Sequence, residues 1–343
     1  MQVVRTLSNG VIYMLQSSLR THCTLQWAMQ TLMTPGMLFL AVLTITACDM
    51  QSGTQAAGTE TIPLTMKRTG WLASDDLMEA SGMQASHARE GDFFVHNDEG
   101  EPILYAIDES GADHGSMIIV PAKNKDWEDI TSVPVGDARW LVVGDIGDNQ
   151  AKRKSIKLYF VEEPETGEYD RYSGRLDLKH SVNLTYPDGP RDCESMAYDP
   201  VGNQILLLSK RDKPARLYAL DLETALTEAM AELKFLGTIA ALRPPTSKDR
   251  FQWGGRTDFI SQPTGFDISA DGTQAVVVTY RSLYRFRREP GEDWLSVLQR
   301  KPDEVVGPPS VQNEAVSYSV DGKAIYVTTE KRPAPVYRFE FNP

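Results

Sequence analysis

A short strand motif recurs five times along the chain and constrains the fold more than any other feature. Each copy places a tyrosine directly after an aliphatic residue, and the five tyrosines are 54, 59, 66 and 53 residues apart. Aromatic, aliphatic and β-branched residues in short runs indicate β-strands. The copies are Leu104–Asp108, Leu158–Val161, Leu217–Asp221, Leu283–Phe286 and Val336–Phe339.

A second strand and a tight turn precede each copy of the motif. Glycine in a two-residue turn between apolar runs is a hairpin signal. The apolar runs are Asp92–Val95, Trp140–Val143, Ile205–Leu208, Ala275–Val278 and Ala324–Val327. The turns before them are Glu90-Gly91, Val135-Gly136, Val201-Gly202, Asp271-Gly272 and Asp321-Gly322. A further short strand lies before each turn, as in Ser195–Tyr198.

Units of three or four antiparallel strands repeated at this period predict an all-β fold, a β-propeller. One unit cannot bury its apolar faces alone, so neighbouring units stack as blades around an axis. Five blades are visible, and six remain possible at about 40–45 residues per blade. The last unit, 314–343, holds only three strand signals, whereas 63–72 reads as a lone strand. We predict that this N-terminal strand completes the last blade and closes the ring.

Two longer insertions separate the units. Residues 222–233 are rich in helix formers with apolar residues near helical spacing, which predicts a helix. Residues 243–263 contain Pro and Gly pairs and predict a long loop over one face of the propeller.

The N-terminal region has the features of a lipoprotein signal. Residues 1–47 contain two arginines and no acid, and an apolar run over 37–47 ends directly at Cys48. Eleven apolar residues suit a signal-peptide core. Ile45-Thr46-Ala47-Cys48 resembles a bacterial lipobox. We therefore expect a signal peptide over 1–47, lipidation of Cys48, a flexible tether over 48–62 and the propeller over 63–343.

This assignment predicts a protein of the cell envelope, bound to the membrane through its lipid. Asp49, directly after the cysteine, resembles the signal that retains lipoproteins on the periplasmic face of the inner membrane in Gram-negative bacteria. The alternative is an uncleaved membrane anchor formed by the uncharged residues 24–47.

Charge and missing motifs exclude several classes of function. The formal net charge is −12, and binding to nucleic acid phosphates requires a basic face. The chain has no GxSxG, HExxH, GxxxxGK[ST] or GxGxxG motif. Neither a serine hydrolase elbow, a zincin helix nor a nucleotide-binding loop is therefore expected.

Acidic residues gather at one predicted end of the blades. Asp126, Glu128 and Asp129 begin one strand of a hairpin, and Asp145 and Asp148 end the other, so both groups lie at one edge of a sheet. When the units are aligned by their first strand, five residues fall at one equivalent position. They are Ser81, Glu128, Glu194, Thr264 and Glu314.

The second strands of the aligned units end beside these positions. We expect Asp98 and Asp145 there as further carboxylates, and His96, Asn97, Asn149, Lys210, Arg211 and Arg281 as contacts for a small-molecule or protein ligand. Clustered carboxylates repel one another unless a cation binds or some are protonated. Calcium is the cation that prefers such oxygen ligands. The alternative is that the acids tie one blade to the next by accepting backbone N–H groups.

Four motifs together resemble a family of secreted or lipid-anchored bacterial β-propellers. They are Glu79-Ala80-Ser81-Gly82, His96-Asn97-Asp98-Glu99-Gly100, Asp126-Trp127-Glu128-Asp129 and Gly144-Asp145-Ile146-Gly147-Asp148-Asn149. More distantly, the layout is similar to calcium-dependent gluconolactonase-type propellers and to β-propeller phytases and phytase-like esterases. This resemblance implies metal binding at Glu79, Asp98, Glu128, Asp145, Glu194 and Glu314. Thr264 departs from the pattern because no acid stands there.

Two functions remain open. One is a lipid-anchored binding propeller whose channel mouth is held by calcium. The other is a metal-dependent hydrolase of phosphoesters, lactones or esters, with Asp98 or Glu194 as general base and Lys210, Arg211 or Arg281 holding an anionic group. Convergence of these basic residues on the carboxylates would favour the hydrolase.

Overall fold

The structure, a computed structural model, describes residues 64–240, 242–307 and 312–341. The predicted signal peptide, Cys48 and the tether lie outside these residues. Within the described ranges, no helix is long and apolar enough to cross a membrane. The described strands form five four-stranded blades, which confirms the all-β propeller and selects five blades over six.

The first two blades are joined at their outer strands. β1 (Leu64–Trp71) comes first in the chain but belongs to the last blade. The first blade contains β2 (Ala80–Ala85), β3 (Asp92–Asn97), β4 (Ile103–Asp108) and β5 (Asp113–Val120). The second contains β6 (Trp127–Val135), β7 (Ala138–Asp145), β8 (Ile156–Glu162) and β9 (Arg175–Thr185). β5 and β9 pair in parallel, from Ile118 with Arg175 to Val120 with Asp177.

The third blade corrects the predicted helix over 222–233. Its elements are β10 (Cys193–Asp199), β11 (Gln204–Ser209), β12 (Arg216–Asp221), α1 (Leu222–Thr227), β13 (Met230–Glu232) and β14 (Lys234–Thr238). Only the first half of the segment is helical, because the backbone is extended at Glu228 (φ −97°, ψ 140°). β13 then pairs in parallel with β9 of the second blade. Strand pairing in the tertiary structure has overridden the local helix preference.

The fourth blade follows the long insertion, which is not wholly a loop. The insertion contains α2 (Ser247–Trp253). The blade consists of β15 (Pro263–Ile268), β16 (Gln274–Thr279), β17 (Ser282–Arg287) and β18 (Asp303–Val306), with α3 (Trp294–Leu298) between its last two strands. Thr246 and Asp249 form a reciprocal capping box at the start of α2, which is the local reason that a helix begins there.

The fifth blade confirms closure by the N-terminal strand. It contains β19 (Asn313–Tyr318), β20 (Ala324–Thr329), β21 (Pro335–Phe341) and β1. β1 pairs antiparallel with β21, from Leu64 with Phe341 to Trp71 with Pro335. The first described strand and the last one therefore hold each other in the same sheet.

The hydrophobic core is divided into five clusters, one between each pair of neighbouring blades. The five repeat tyrosines are all buried, and each packs into a different cluster. They are Tyr105, Tyr159, Tyr218, Tyr284 and Tyr337. The recurring motif thus supplies one aromatic ring to every interface between blades, which explains its repetition.

Hydrogen bonds from two buried aspartates link the inner strands of different blades. Asp129 Oδ2 accepts from the backbone N–H of Met196 at 2.8 Å and of Phe266 at 3.2 Å, on the third and fourth blades. Asp267 Oδ2 accepts from Tyr318 N at 2.7 Å. The predicted role of acids as ties between blades therefore belongs to Asp129 and Asp267.

Candidate functional site

A pocket with a volume of about 370 Å³ opens at the end of the channel where the inner strands begin. Seven carboxylates line it, together with three basic side chains. The acids are Asp98, Glu99, Asp126, Glu128, Glu194, Glu314 and Glu330, and the basic residues are Lys210, Arg211 and Arg256. This axial pocket has the size of a small-molecule site and an unusually acidic wall.

A β-bulge in every inner strand aims one residue towards the axis. The register of each inner pair slips at the residue that the repeat alignment makes equivalent. A bulge re-aims the side chain of the extra residue. The bulged residues are Ser81, Glu128, Glu194, Thr264 and Glu314, and all of them except Thr264 line the axial pocket. The Thr264 hydroxyl instead donates to Asn313 O at 2.6 Å.

A second set of equivalent positions is the residue directly after the second strand of each blade. In four blades this residue lines the pocket, and in the second blade it is the buried Ile146. The four are Asp98, Lys210, Tyr280 and Glu330. Two equivalent positions per blade, one at a bulge and one at a strand end, thus build most of the site.

Lys210 and Glu194 form a buried ion pair in the axial pocket. Each is only 4% exposed, and Lys210 Nζ also lies 3.4 Å from the Tyr280 hydroxyl. Burial acts to lower the pKa of Lys210, but the carboxylates of Glu194 and Glu314 raise it well above its usual value. Burial raises the pKa of Glu194 to about 7, although the ammonium of Lys210 opposes this.

Glu128 and Glu314 are also buried in the axial pocket, and both interact electrostatically with Lys210. Burial, followed by the charge of Glu194, raises the pKa of both carboxyls well above the usual value. Gly147 makes room for one of them, because a Cβ there would lie 2.4 Å from Glu128 Oε1 and from Asp126 Cγ. We call Glu128, Glu194 and Glu314 the inner carboxylates.

A second group of acids in the axial pocket is centred on Asp98, and one of its members, Glu330, interacts electrostatically with Lys331 and Lys210. Asp98 is half-buried, and among the described residues no basic side chain forms an ion pair with it. Burial and then the charge of Glu79, with smaller effects of Glu330 and Glu99, raise the pKa of Asp98 to about 7. Glu79 itself is exposed and does not line the pocket, but its backbone carbonyl accepts from Asp98 N at 3.1 Å. We call Asp98, Glu99 and Glu330 the outer acids.

The other two basic side chains of the axial pocket, Arg211 and Arg256, already have partners within this protein. Arg211 pairs with the buried Asp192, donates to Asn149 Oδ1 and lies 5.7 Å from the ring centre of Phe259. Arg256 donates to Gln312 Oε1 at 3.3 Å. Of the predicted ligand contacts, the structure thus brings Asn149, Lys210 and Arg211 into the pocket.

His96 and Asn97 lie outside the axial pocket. His96 is fully buried, and its ring contacts the ring of Trp127 edge-on with centroids 5.5 Å apart. Burial lowers its pKa to about 4, so the ring is neutral. Asn97 Oδ1 accepts from the backbone N–H groups of Met78 and Glu79 and holds the turn before β2. Both side chains therefore support the mouth without facing a ligand.

Asp145 and Arg281 are also placed elsewhere. Asp145 is buried against Arg153, with Arg153 Nη2 at 2.7 Å from its Oδ1. Arg281 is buried beneath the long insertion, where it pairs with Asp249 at 3.1 Å and donates to Arg243 O at 2.7 Å. Arg281 lies beside Tyr280, which does line the axial pocket, but the side chains of Asp145 and Arg281 both turn to internal partners.

Sequence reasoning missed several pocket residues. The repeat alignment places Tyr280 and Glu330 at the strand-end position of Asp98 and Lys210, but it did not select them as site residues. Arg256 and Phe259 come from the long insertion, whose path over the mouth is not encoded in the repeat.

The structure allows a test of whether these residues fit a calcium ion. Calcium takes six to eight oxygen ligands at 2.3–2.6 Å. In the part of the chain that is described, no three His, Cys, Asp or Glu side chains are arranged to hold a metal ion. The ammonium of Lys210 already lies among the inner carboxylates, so these do not fit calcium. Of the predicted metal ligands, Asp98 lines the axial pocket without an ion-pair partner among the described residues, and calcium binding by this protein stays a prediction.

Comparisons with known proteins found similar solved structures but no matching sequence family. The chain matches no protein-family model and no curated protein sequence. It is similar to a chain of a nidogen/laminin complex, with 12% identity over 78% of this chain and 84% of that one and a TM-score of 0.39. It is also similar to the β-propeller domain of Myceliophteria thermophila Cps50 (Swd1), with 13% identity over 81% of this chain and 100% of that one and a TM-score of 0.41. At these scores, the assignment of a five-bladed β-propeller rests on the strand topology of the chain itself.

Proposed function

We propose that this protein is a binding propeller whose axial pocket holds a ligand through a positively charged group at the outer acids. The observation that carries this proposal is the environment of Asp98. Its carboxyl lies half-buried beside Glu79, Glu99 and Glu330, and no described basic side chain pairs with it. A bound cation would relieve this repulsion.

The shape of the axial pocket supports a small ligand. Its volume of about 370 Å³ falls in the range of small-molecule sites. Phe259, which is 36% exposed and lies by Arg211, adds an aromatic surface to the wall of the pocket. Aromatic faces attract cations, so an organic amine and a calcium ion are both suitable probes.

Titration calorimetry with calcium chloride and with putrescine tests the proposal. At pH 8, where Asp98 is ionised, we expect at least one probe to bind, and Asp98→Asn to weaken binding tenfold or more. Asp137→Asn is the control, because Asp137 is an exposed acid in the turn at the other end of β6. The absence of binding by both probes at millimolar concentration would refute the proposal.

The hydrolase is the second candidate, since Lys210 and Arg211 do converge on the same pocket as the carboxylates. Asp98, with a pKa near 7, is suited to act as its general base. Against this, Lys210 is paired with Glu194 and Arg211 with Asp192, so neither is free to hold an anion. Turnover of a phosphoester, lactone or carboxylic ester that Asp98→Asn abolishes would favour the hydrolase.

We further propose that the propeller acts at the cell envelope, held to the membrane by a lipid on Cys48. The lipobox-like sequence before Cys48 supports this, and Asp49 favours the periplasmic face of the inner membrane in a Gram-negative cell. The axial pocket would then bind its ligand in the periplasm.

A further inference from the structure

The inner carboxylates are more deeply buried than the outer acids, which raises the free-energy cost of their charge. Glu128, Glu194 and Glu314 come from bulges at equivalent positions, so the symmetry of the blades brings them together around one axis. All three are buried, at 4–6% exposure. Carboxylates collected in a buried space require a counter-charge or protonation.

One side chain supplies that counter-charge from within the chain. The Lys210 ammonium contacts Glu194 and interacts electrostatically with both Glu314 and Glu128. Lys210 stands at the strand-end position of the third blade, where the first and fifth blades carry Asp98 and Glu330. The repeat has thus placed a cation where two equivalent blades place acids.

We propose that Lys210 is a built-in cation that occupies the place of a metal ion among the inner carboxylates, and that its removal converts this place into a calcium site. An ammonium offers three hydrogen-bond donors and one positive charge. Here the donors face Glu194 and Tyr280, and the charge faces the other two inner carboxylates. A metal ion bound in the same space would lie against this positive charge and would be repelled by it.

Carboxylate and hydroxyl oxygens line the pocket around the ammonium, and in our proposal they rearrange around calcium once the ammonium is gone. Three glutamates provide up to six carboxylate oxygens, and the Tyr280 hydroxyl lies 3.4 Å from the present Nζ. Asp126, which also lines the axial pocket, adds a fourth acid. Calcium accepts mixed, flexible oxygen ligands of this kind.

Lys210→Met tests the proposal, because it keeps the length of the side chain and removes the charge. The experiment is done in an Asp98→Asn background, so that any cation site at the outer acids is disabled and the two proposals are tested separately. Melting temperature and calorimetry are measured with calcium and with a chelator. The control is the same chain with Glu194→Gln added, which removes one inner carboxylate.

We expect the melting temperature of the Asp98→Asn parent to be the same with calcium and with chelator. The Lys210→Met variant in this background should melt several degrees higher with 1 mM calcium than with chelator. Glu194→Gln should remove most of that gain. A Lys210→Met variant that folds equally well with and without calcium would overturn the proposal, as would one that fails to fold even with calcium. Calcium binding by the wild type that Glu128→Gln or Glu314→Gln abolishes would also overturn it, because the inner carboxylates would then bind metal beside Lys210.

Discussion

The hydroxyl of Ser81 donates to the backbone carbonyl of Glu128 and to its Oε2 atom, both at 3.1 Å. The two residues occupy the same bulge position in neighbouring blades. Thr264, the other hydroxyl at this position, donates to the fifth blade one residue earlier, at Asn313 O. Hydroxyl groups at the bulges therefore tie blades together, while glutamates at the bulges reach into the axial pocket.

The hydrogen bonds that Asp129 accepts from the third and fourth blades are expected to be a major source of stability. Asp129→Ala leaves the buried N–H groups of Met196 and Phe266 without their acceptor, and should destabilise the protein by about 2–5 kcal/mol. Chemical denaturation measures this change. Asp137→Ala, at an exposed turn, is the matched control and should change stability by less than about 0.5 kcal/mol. Equal effects of the two variants would show that the tie contributes nothing.

Asp98 should make stability fall as pH rises. Its pKa is about 7 in the folded protein, above the ordinary value of 3.8, so the folded state keeps a proton that the unfolded state has lost between these values. The contribution of Asp98 to stability is therefore present below about pH 4 and is lost as pH rises to about 7. Asp98→Asn should match the wild type near pH 4 and melt at a higher temperature at pH 8. A difference in melting temperature that is independent of pH would contradict this assignment.

Gly147 is expected to be required for the inner wall of the axial pocket. A methyl group there would lie 2.4 Å from Glu128 Oε1 and from Asp126 Cγ, so Gly147→Ala should displace both carboxylates; because Glu128 is buried, we expect a cost of about 1–3 kcal/mol of stability. Gly255→Ala is the control, because no atom lies within 4 Å of a Cβ at that position. Thermal melting distinguishes the two, and a larger loss in the control would disprove the packing argument.

The closing strand should stabilise the last blade. A chain that starts at Leu72 lacks β1, which leaves β21 as an unpaired edge and opens the ring. We expect it to melt at least several degrees lower and to aggregate more readily than a chain that starts at Pro63. Light scattering and calorimetry measure both effects. Identical melting of the two chains would mean that closure by β1 contributes no stability.

Lipid attachment is tested in cells. Cys48→Ala should accumulate as an unprocessed precursor that takes up no labelled fatty acid, since the thiol that would carry the lipid is missing. Cys23→Ala, which also changes a cysteine in the N-terminal region, should be processed and labelled like the wild type. Normal labelling of the Cys48→Ala chain would end the lipoprotein hypothesis.

The sequence alone was sufficient for the blades, because their signals are local and repeated. Period-two strands, glycine turns and the recurring tyrosines mark every blade, and the missing strand of the last unit pointed to β1. The equivalence of Ser81, Glu128, Glu194, Thr264 and Glu314 also followed from the repeat, and the structure confirms it as a ring of bulges.

Only the tertiary structure decided which of these side chains meet. At a strand end, a step of one residue turns a side chain to another direction, so Tyr280 faces the axial pocket while Arg281 pairs with Asp249 beneath the long insertion. Asp145 is likewise held by Arg153, a partner from the following loop. Arg256 and Phe259 reach the pocket through an insertion that no repeat describes. The fold depends on patterns that each blade carries by itself, whereas the site depends on contacts between blades and loops that are distant in sequence.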